Sequence, residues 1–292
     1  MGLPGKIACV QMRSGMDESA NISTMRELVR EAAGLGATYV QTPEMTGLVT
    51  RSRDLFGQIS PDRNNPVFAA AAELARDLSI WLHIGSTAVL SSEGRAANRG
   101  AMFAPNGERI ASYDKIHMFD VDLDNGESWR ESATYDAGDT GIVVHGPLLP
   151  TGMAICYDLR FADLFRSEAL AGAEMLTCPA CFTRQTGEAH WHALLRARAI
   201  ENGAYVAAAA QGGTHEDGRQ TFGHSLVYDP WGRLAGELAH DEPGVLVCEI
   251  DQALPAAVRA KIPNLSHGRE FSIRVEGQGA VHEPGKRAAA AS

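Results

Sequence analysis

A thiol, a carboxylate and an amine, which together can hydrolyse an amide bond, each follow a short apolar segment of this sequence. Cys156 comes directly after the segment 151–155, and Glu44 and Lys115 come shortly after two other strand-like segments. A thiol nucleophile needs a base, and the tetrahedral intermediate needs donors that stabilise its oxyanion. A glutamate can take the thiol proton and pass it to the departing nitrogen, while a lysine can stabilise the oxyanion. The three residues are therefore candidates for one hydrolytic site.

Cys156 also stands at a predicted strand-to-helix turn. The start of a helix carries partial positive charge, which favours a thiolate, and its free N–H groups can bind an oxyanion. Taken alone, however, a cysteine is most often a small buried apolar residue, and Glu44 and Lys115 are typical of solvated surface charges. None of the ten histidines stands in a recognisable signature with Cys156. Only the combination of the three residues indicates chemistry.

The segments that must position these residues alternate between short β-branched runs and longer helical patterns. Strands are expected at 6–12, 37–41 and 81–86, and helices are expected after Asn21 and over 65–78. This βαβα order favours helices packed on sheets, which is an α/β fold.

Two turn sequences of similar design, at 105–107 and 230–232, each join a predicted pair of antiparallel strands. In both, proline presets one φ angle and glycine accepts a positive one. The repetition suggests two related halves, and a last strand is expected at 244–250. With no stretch typical of a linker, we expect one domain over 1–272 and a flexible C-terminal tail over 273–292.

The composition excludes several classes of partner. Lys and Arg number 26 against 36 Asp and Glu, for a net charge of −10, so no basic excess exists to bind nucleic acid or an anionic membrane. No apolar run approaches the roughly 20 residues of a membrane span, and the first residues lack a secretory pattern. Five cysteines are too few and too odd for a disulfide framework. We expect reduced thiols and a cytoplasmic protein.

Two short motifs resemble cofactor sites only superficially. The pair Cys178 and Cys181 has the C-x-x-C spacing of a zinc ligand pair, but no second pair is present, so a packing role is expected. Gly34 and Gly36 follow a helix, and Tyr39 stands where a dinucleotide fingerprint needs glycine. We expect neither a metal nor a cofactor.

Three segments resemble the Glu, Lys and Cys motifs of the nitrilase superfamily of carbon–nitrogen hydrolases. They are Thr-Pro-Glu at 42–44, Tyr-Asp-Lys-Ile-His at 113–117 and Gly-Met-Ala-Ile-Cys-Tyr-Asp-Leu-Arg-Phe at 152–161. The separations of 71 and 41 residues between the three motif residues also match, and the resemblance runs from about residue 6 to about residue 270. Further segments resemble the branch of ω-amidases and deaminated-glutathione amidases: 182–183, 186–191, 196–199, 223–225 and 229–232.

The resemblance implies a four-layer α-β-β-α sandwich of nitrilase type with mixed sheets, which pairs through helices into a homodimer or a larger homo-oligomer. It implies that Cys156 is the nucleophile and Glu44 the general base. Lys115 and the backbone N–H of Tyr157 would bind the oxyanion. Glu131 matches a second glutamate of the family, with a role in orienting the lysine or assisting the departing ammonia.

The sequence departs from true nitrilases after the nucleophile, where Tyr157 and Asp158 replace Trp-Glu, so nitriles are not expected as substrates. Arg160 is expected to form a structural ion pair with a nearby acidic residue such as Asp163 rather than to bind substrate. Phe182 and Thr183 are expected in the pocket wall. Arg184 is a candidate for binding a substrate carboxylate, and a solvated arginine is an equal alternative.

The predicted function is a thiol-dependent amidase. It would hydrolyse a non-peptide C–N amide bond of a small carboxylate-bearing substrate, either deaminated glutathione or the ω-amide of a keto acid. The reaction would pass through a cysteine thioester and release ammonia. Two alternatives stay open, an N-carbamoyl amino-acid amidohydrolase and a non-catalytic scaffold of the same fold.

Overall fold

The computed structural model describes residues 5–51, 59–91, 94–123, 126, 128–146 and 148–274. The C-terminal segment 273–292 lies outside the described residues except for its first two. The α-helices are α1 (Glu18–Gly34), α2 (Pro66–Leu78), α3 (Ala162–Leu170), α4 (Arg184–Asn202) and α5 (Leu254–Lys261). In the described part of the chain, no helix has the length and apolar character needed to cross a membrane.

The strands form two large sheets and two small ribbons. Their bounds are β1 (Gly5–Gln11), β2 (Tyr39–Gln41), β3 (Trp81–Leu90), β4 (Ala96–Phe103), β5 (Arg109–Asp114), β6 (Asp120–Asp122), β7 (Ser128–Arg130), β8 (Tyr135–Asp136), β9 (Ile142–His145), β10 (Pro150–Met153), β11 (Met175–Thr177), β12 (Tyr205–Ala208), β13 (Gly212–Thr214), β14 (Gln220–Phe222), β15 (Leu226–Tyr228), β16 (Leu234–Glu237) and β17 (Gly244–Ile250).

The two large sheets have the same internal plan. The first runs β17-β1-β2-β3-β4-β5, with β8 beside β4, and the second runs β16-β15-β12-β11-β10-β9. In each, three central strands are parallel and the flanking strands are antiparallel. The ribbons are β6-β7 and β13-β14. The shared strand plan of the two large sheets is what two related halves would produce. Both sheets contain parallel and antiparallel pairs, so they are mixed as expected.

Alternate residues of β1 are buried on opposite sides of the first sheet. Ile7 and Cys9 belong to a core shared with the second sheet, whereas Ala8 and Val10 pack among residues of α1 and α2. Helices α3 and α4 contact the strands of the second sheet. The order of layers is therefore helices, sheet, sheet, helices, which confirms the predicted four-layer sandwich.

Local capping explains where the first two helices begin. Asn65 caps α2 as predicted, because its side chain accepts from the N–H groups of Val67 and Phe68. The prediction that Asn21 caps the first helix is wrong, since Asp17 is the cap and α1 starts at Glu18. Asn21 instead lies inside α1.

The two predicted hairpins are confirmed as β4–β5 and β15–β16. Gly107 and Gly232 occupy their turns with φ angles of 81° and 79°, which a residue with a Cβ rarely adopts. The predicted last strand matches β17.

Candidate active site

A cavity of about 380 Å³ lies at the carboxyl ends of β2, β5 and β10. The first sheet brings Glu44 and Lys115 to it, and the second sheet brings Cys156. Seven of the eight residues predicted for the site line this cavity: Glu44, Lys115, Glu131, Cys156, Tyr157, Phe182 and Thr183.

Glu44 stands in a tight turn that follows β2 and approaches β3 closely. A Cβ added at Gly85 would lie 2.2 Å from the carbonyl oxygen of Thr42 and 2.6 Å from that of Pro43. Both neighbours are backbone atoms that cannot swing away, so only glycine allows this approach. Gly85 thereby helps to fix where the Glu44 turn sits.

The Glu44 carboxylate is buried and fully engaged. Its Oε1 accepts hydrogen bonds from Lys115 Nζ at 3.0 Å and from Asn98 Nδ2 at 2.9 Å. Its Oε2 accepts from the backbone N–H of Cys181 at 2.7 Å. These contacts come from three separate segments and hold the carboxylate in one orientation.

Lys115 follows β5, and its ammonium bridges two carboxylates. Besides Glu44, Nζ donates to Glu131 Oε1 at 2.9 Å and Oε2 at 2.8 Å. Glu131 Oε2 also accepts from the backbone N–H of Phe119 at 2.7 Å. The lysine side chain is only 2% exposed, so these two carboxylates supply the charge that its burial demands.

Cys156 has a positive φ of 51°, which is uncommon for a residue with a side chain. Its backbone N–H donates to Pro179 O at 2.9 Å, and it begins a 3-10 helix over Cys156–Arg160. The N–H of Tyr157 lies in the first turn of that helix, where backbone donors have no acceptor within the helix. Strained backbone of this kind is concentrated at functional sites.

Asp158 ties the turn of Cys156 to the segment that follows Lys115. Its Oδ2 accepts from Tyr113 Oη at 2.7 Å and from the N–H of Ile155 at 2.9 Å, and its Oδ1 accepts from the N–H of His117 at 3.0 Å. This buried carboxylate therefore joins the two sheets directly beside the cavity.

The protonation states follow from burial and from the neighbouring charges. Burial alone would raise the pKa of Glu44, but the charge of Lys115 and the hydrogen bonds to Glu44 outweigh it and lower that pKa below its usual value. Burial would lower the pKa of Lys115, but the charges of Glu131 and Glu44 raise it well above its usual value. Burial and the charge of Glu44 raise the pKa of Cys156 well above that of a free thiol. The resting site is a carboxylate, an ammonium and a protonated thiol.

The expectation that the helix start favours a thiolate at Cys156 is therefore wrong. Desolvation and the nearby Glu44 carboxylate both oppose a second negative charge, and Lys115 offsets them only partly. The thiol needs a base, and Glu44 is the ionised group beside it.

Arg184 is not among the described residues that line the cavity. It begins α4, and its guanidinium pairs with Asp241 Oδ2 at 2.5 Å. The candidate role in binding a substrate carboxylate is therefore not supported, because Arg184 is engaged outside the cavity. The predictions for Phe182 and Thr183 agree with their place in the cavity wall.

Arg160 also differs from expectation. Its guanidinium hydrogen-bonds to His190 Nδ1 at 3.3 Å and lies 5.8 Å and 5.5 Å from the ring centroids of Tyr157 and Phe182. Its hydrogen-bond partner among the described residues is His190 rather than Asp163. Ring packing takes the place of the predicted pairing.

Several residues that complete the cavity were missed by reasoning from the sequence. Asn98 donates to Glu44 and also to Glu131 Oε1, at 3.2 Å. A polar residue among the apolar residues of β4 was the one available signal for it. Arg219 and Trp129 also line the cavity, and both come from polar segments in which nothing marks them.

The two cysteines of the C-x-x-C pair have different surroundings, since Cys178 is packed in the core and Cys181 lines the cavity. Cys178 is buried with its thiol 3.7 Å from the carbonyl oxygen of Cys156, as the packing interpretation predicts. Cys181 lines the cavity wall.

One group of described residues has metal-ligand chemistry, and it lies outside the cavity. Ligand atoms of His192, His224 and Glu237 lie within 4.8 Å of one another. Both imidazoles hydrogen-bond to Glu237 Oε1, at 2.8 Å and 2.7 Å. These contacts connect α4 to the end of β16, and the expectation of a protein without a metal stays a prediction.

Comparison with known proteins places this arrangement in a family. The model of the carbon-nitrogen hydrolase family matches residues 6–260. The deaminated glutathione amidase of Yersinia enterocolitica is 36% identical over 272 residues, which cover 92% of this chain and 94% of that protein.

Solved structures agree with this match. Nit3 of Saccharomyces cerevisiae, a member of branch 10 of the nitrilase superfamily, is 26% identical with a TM-score of 0.81, over 90% of this chain and 96% of that one. An amidase variant from Nesterenkonia sp., with acrylamide added at its active-site cysteine, is 25% identical with a TM-score of 0.75, over 89% of this chain and 98% of that one. The chain therefore belongs to the carbon–nitrogen hydrolase family, within the nitrilase superfamily.

Proposed function

We propose that this carbon–nitrogen hydrolase is a thiol-dependent amidase whose nucleophile is Cys156 and whose general base is Glu44. Lys115 and the N–H of Tyr157 stabilise the oxyanion. The observation that carries the proposal is the Lys115 ammonium, which bridges Glu44 and Glu131 inside the cavity that Cys156 also lines. Residues far apart in the chain thus meet with the charges that amide hydrolysis requires.

Acylation begins from the neutral thiol. As the sulfur of Cys156 attacks the carbonyl carbon, its proton passes to Glu44 and the carbonyl oxygen becomes an oxyanion. Glu44 then gives that proton to the nitrogen, the C–N bond breaks, and the amine leaves behind a thioester. The lowered pKa of Glu44 keeps it ionised and ready to accept the proton at neutral pH.

Deacylation uses the same groups in the same order. Glu44 takes a proton from water as the water oxygen attacks the thioester carbon. The tetrahedral intermediate collapses, the C–S bond breaks, and the proton returns to the sulfur of Cys156. The carboxylic acid product leaves and the resting site is restored.

Glu131 orients the ammonium of Lys115 rather than reacting itself. Both of its oxygens accept from Nζ, so one N–H can turn towards the oxyanion while Glu131 keeps the other contact. This arrangement supports the orienting role that the family resemblance implies.

The substrate that we propose is a small amide that carries a carboxylate, deaminated glutathione first and the ω-amide of a keto acid second. The name of the Yersinia enterocolitica relative supports the first. The two differ in the leaving group. An ω-amide releases ammonia, whereas every amide nitrogen of deaminated glutathione carries a carbon substituent, so its hydrolysis releases an amine. The predicted release of ammonia therefore applies to the ω-amide alone.

The test is to incubate the purified protein with each substrate and to measure both the keto acid and the released ammonia or amine. Cys156→Ala should lower kcat by about a thousandfold or more. Cys248→Ala, which removes a buried thiol from β17, is the matched control and should keep full activity.

Other outcomes favour the alternatives. Turnover of N-carbamoyl amino acids alone, with release of carbon dioxide and ammonia, would favour that class of hydrolase. If iodoacetamide labels Cys156 no faster than the other cysteines and no amide is hydrolysed, a scaffold is favoured. Full activity in Cys156→Ala would overturn the mechanism.

The assembly, location and domain boundaries are further parts of the proposal. An exposed apolar patch supports a homodimer or larger homo-oligomer, which analytical ultracentrifugation can test. It consists of Ile200 on α4 with Trp231 and Leu234 of the nearby hairpin.

Five free cysteines support a cytoplasmic location. We keep residues 1–272 as one domain.

A further inference from the structure

Two guanidinium groups lie against the indole of Trp129 on the wall of the active-site cavity. The Cζ atom of Arg51 is 4.4 Å from the ring centroid, and that of Arg219 is 4.6 Å from it. Both distances fall in the range of a cation–π interaction. All three residues line the cavity that contains Cys156.

Arg219 is mostly buried, and its guanidinium is paired with one carboxylate but incompletely hydrogen-bonded. Its side chain is 16% exposed, and among the described residues no acceptor lies within hydrogen-bonding range of its buried Nε. Asp217, only 5% exposed, forms an ion pair with Arg219, but its Oδ2 lies 3.6 Å from Nη2, too far for a hydrogen bond. Its Nη1 lies 3.8 Å from the sulfur of Cys181. The guanidinium lines the cavity with hydrogen-bonding capacity left over, which suits it to a carboxylate ligand.

The distribution of charge in the cavity favours the same ligand. Glu44, Glu131 and Lys115 together carry one net negative charge, which does not attract an anion to the reacting groups. Arg51 and Arg219 place two positive charges on the wall with Trp129, and Asp217 offsets that of Arg219 only from 3.6 Å, without a hydrogen bond. Arg130 also lines the cavity, but Asp122 already neutralises it through hydrogen bonds of 2.8 Å and 2.9 Å.

We propose that Arg219, held against Trp129, binds a carboxylate of the substrate, and that Arg51 adds a second charge at the entrance to this subsite. The inference rests on the proposed amidase function and assigns to Arg219 the carboxylate recognition for which Arg184 was one candidate. It also disfavours neutral amides as substrates, because they would leave the guanidinium without the hydrogen bonds that a carboxylate supplies.

The test compares Arg219→Gln with the parent protein on substrates with and without a carboxylate. We expect kcat/KM for the carboxylate-bearing amide to fall about 10- to 100-fold, while that for a neutral amide such as its methyl ester changes less than about threefold. Arg219→Lys keeps the charge and should recover part of the loss. Arg184→Gln is the matched control and should behave as the parent.

Two substrates distinguish which carboxylate is bound. The ω-amide of a keto acid carries its carboxylate on the acyl part, whereas deaminated glutathione carries one on the acyl part and another on the leaving amine. If Arg219→Gln lowers kcat/KM for both substrates, Arg219 binds the carboxylate of the acyl part. If it lowers kcat/KM for deaminated glutathione alone, Arg219 binds the carboxylate of the leaving amine.

A binding measurement separates this inference from the proposed function. Glutarate should slow the alkylation of Cys156 by iodoacetamide in the parent protein, and about 10- to 100-fold more glutarate should be needed in Arg219→Gln. That result would support the subsite even if no amide were hydrolysed. Equal protection in both proteins, or equal losses on charged and neutral amides, would overturn it. If Arg219→Gln does not fold, Arg51→Gln should show a smaller loss in the same direction, and no loss there would also overturn it.

Discussion

Replacing Asn98 with alanine should shift the pH dependence of the reaction. The Nδ2 of Asn98 donates to Glu44 Oε1 at 2.9 Å, and a hydrogen bond to a charged group contributes about 1.5–3 kcal/mol. Since 1.36 kcal/mol corresponds to about one pKa unit, its loss should raise the pKa of Glu44 by about one to two units. Glu44 must be ionised to accept the thiol proton. The acid limb of kcat/KM should therefore move to higher pH by the same amount.

The assay is a profile of kcat/KM for Asn98→Ala and the parent protein from about pH 4 to about pH 9. At pH values below the shifted acid limb, kcat/KM of the variant should be about 10- to 100-fold lower than that of the parent protein, and near neutral pH the difference should be much smaller. Asn202→Ala removes another buried amide, one that donates to Arg198 O within α4, and it should leave the limb where it is. If Asn98→Ala instead lowers kcat/KM by the same factor at every pH, then Asn98 contributes only through packing, and the electrostatic reasoning is refuted.

Three further variants test the cavity and its surroundings. Glu131→Gln removes a charge-assisted contact to Lys115 and should lower kcat/KM about 10- to 100-fold in steady-state kinetics, and a change below about threefold would argue against the orienting role. Gly85→Ala must displace the turn that carries Glu44, so it should lower kcat about 100-fold, while circular dichroism should show that the native secondary structure is retained. A fully active variant would show instead that the turn can relax. Burial holds the pKa of Glu168 well above its usual value, so the folded state keeps a proton that the unfolded chain loses above about pH 4.3. The stability of the folded protein therefore falls as pH rises, by about 1.4 kcal/mol per pH unit up to the pKa of Glu168 in the folded state. Because glutamine does not titrate, Glu168→Gln should raise the free energy of unfolding more at pH 8 than at pH 5, which urea titrations at both pH values can measure. A difference that does not depend on pH would contradict this.

The elements that depend on local chemistry were predictable from the sequence. Asn65 followed by proline identifies the start of α2, and the turn glycines identify both hairpins, because each of these residues acts on the backbone beside it. Asn21 shows the limit of such reasoning. Its amide donates to the carbonyl oxygens of Gly15 and Gly47, and a contact with a segment far along the chain cannot be inferred from neighbouring residues.

The candidate site divides in the same way. Glu44, Lys115 and Cys156 stand in motifs with a fixed order, so their convergence could be expected. Arg184 and Arg219 could not be ranked by sequence, because both are arginines in polar surroundings. Only the fold shows that the first pairs with Asp241 and that the second lines the cavity.

The division of the site between the two sheets has a consequence for how the enzyme fails. The base and the ammonium are carried by one half of the sandwich, and the nucleophile is carried by the other. A slight sliding of the halves would separate the sulfur from its proton acceptor while leaving every helix and strand intact. Turnover should then disappear at temperatures or denaturant concentrations at which spectroscopy still detects a folded chain.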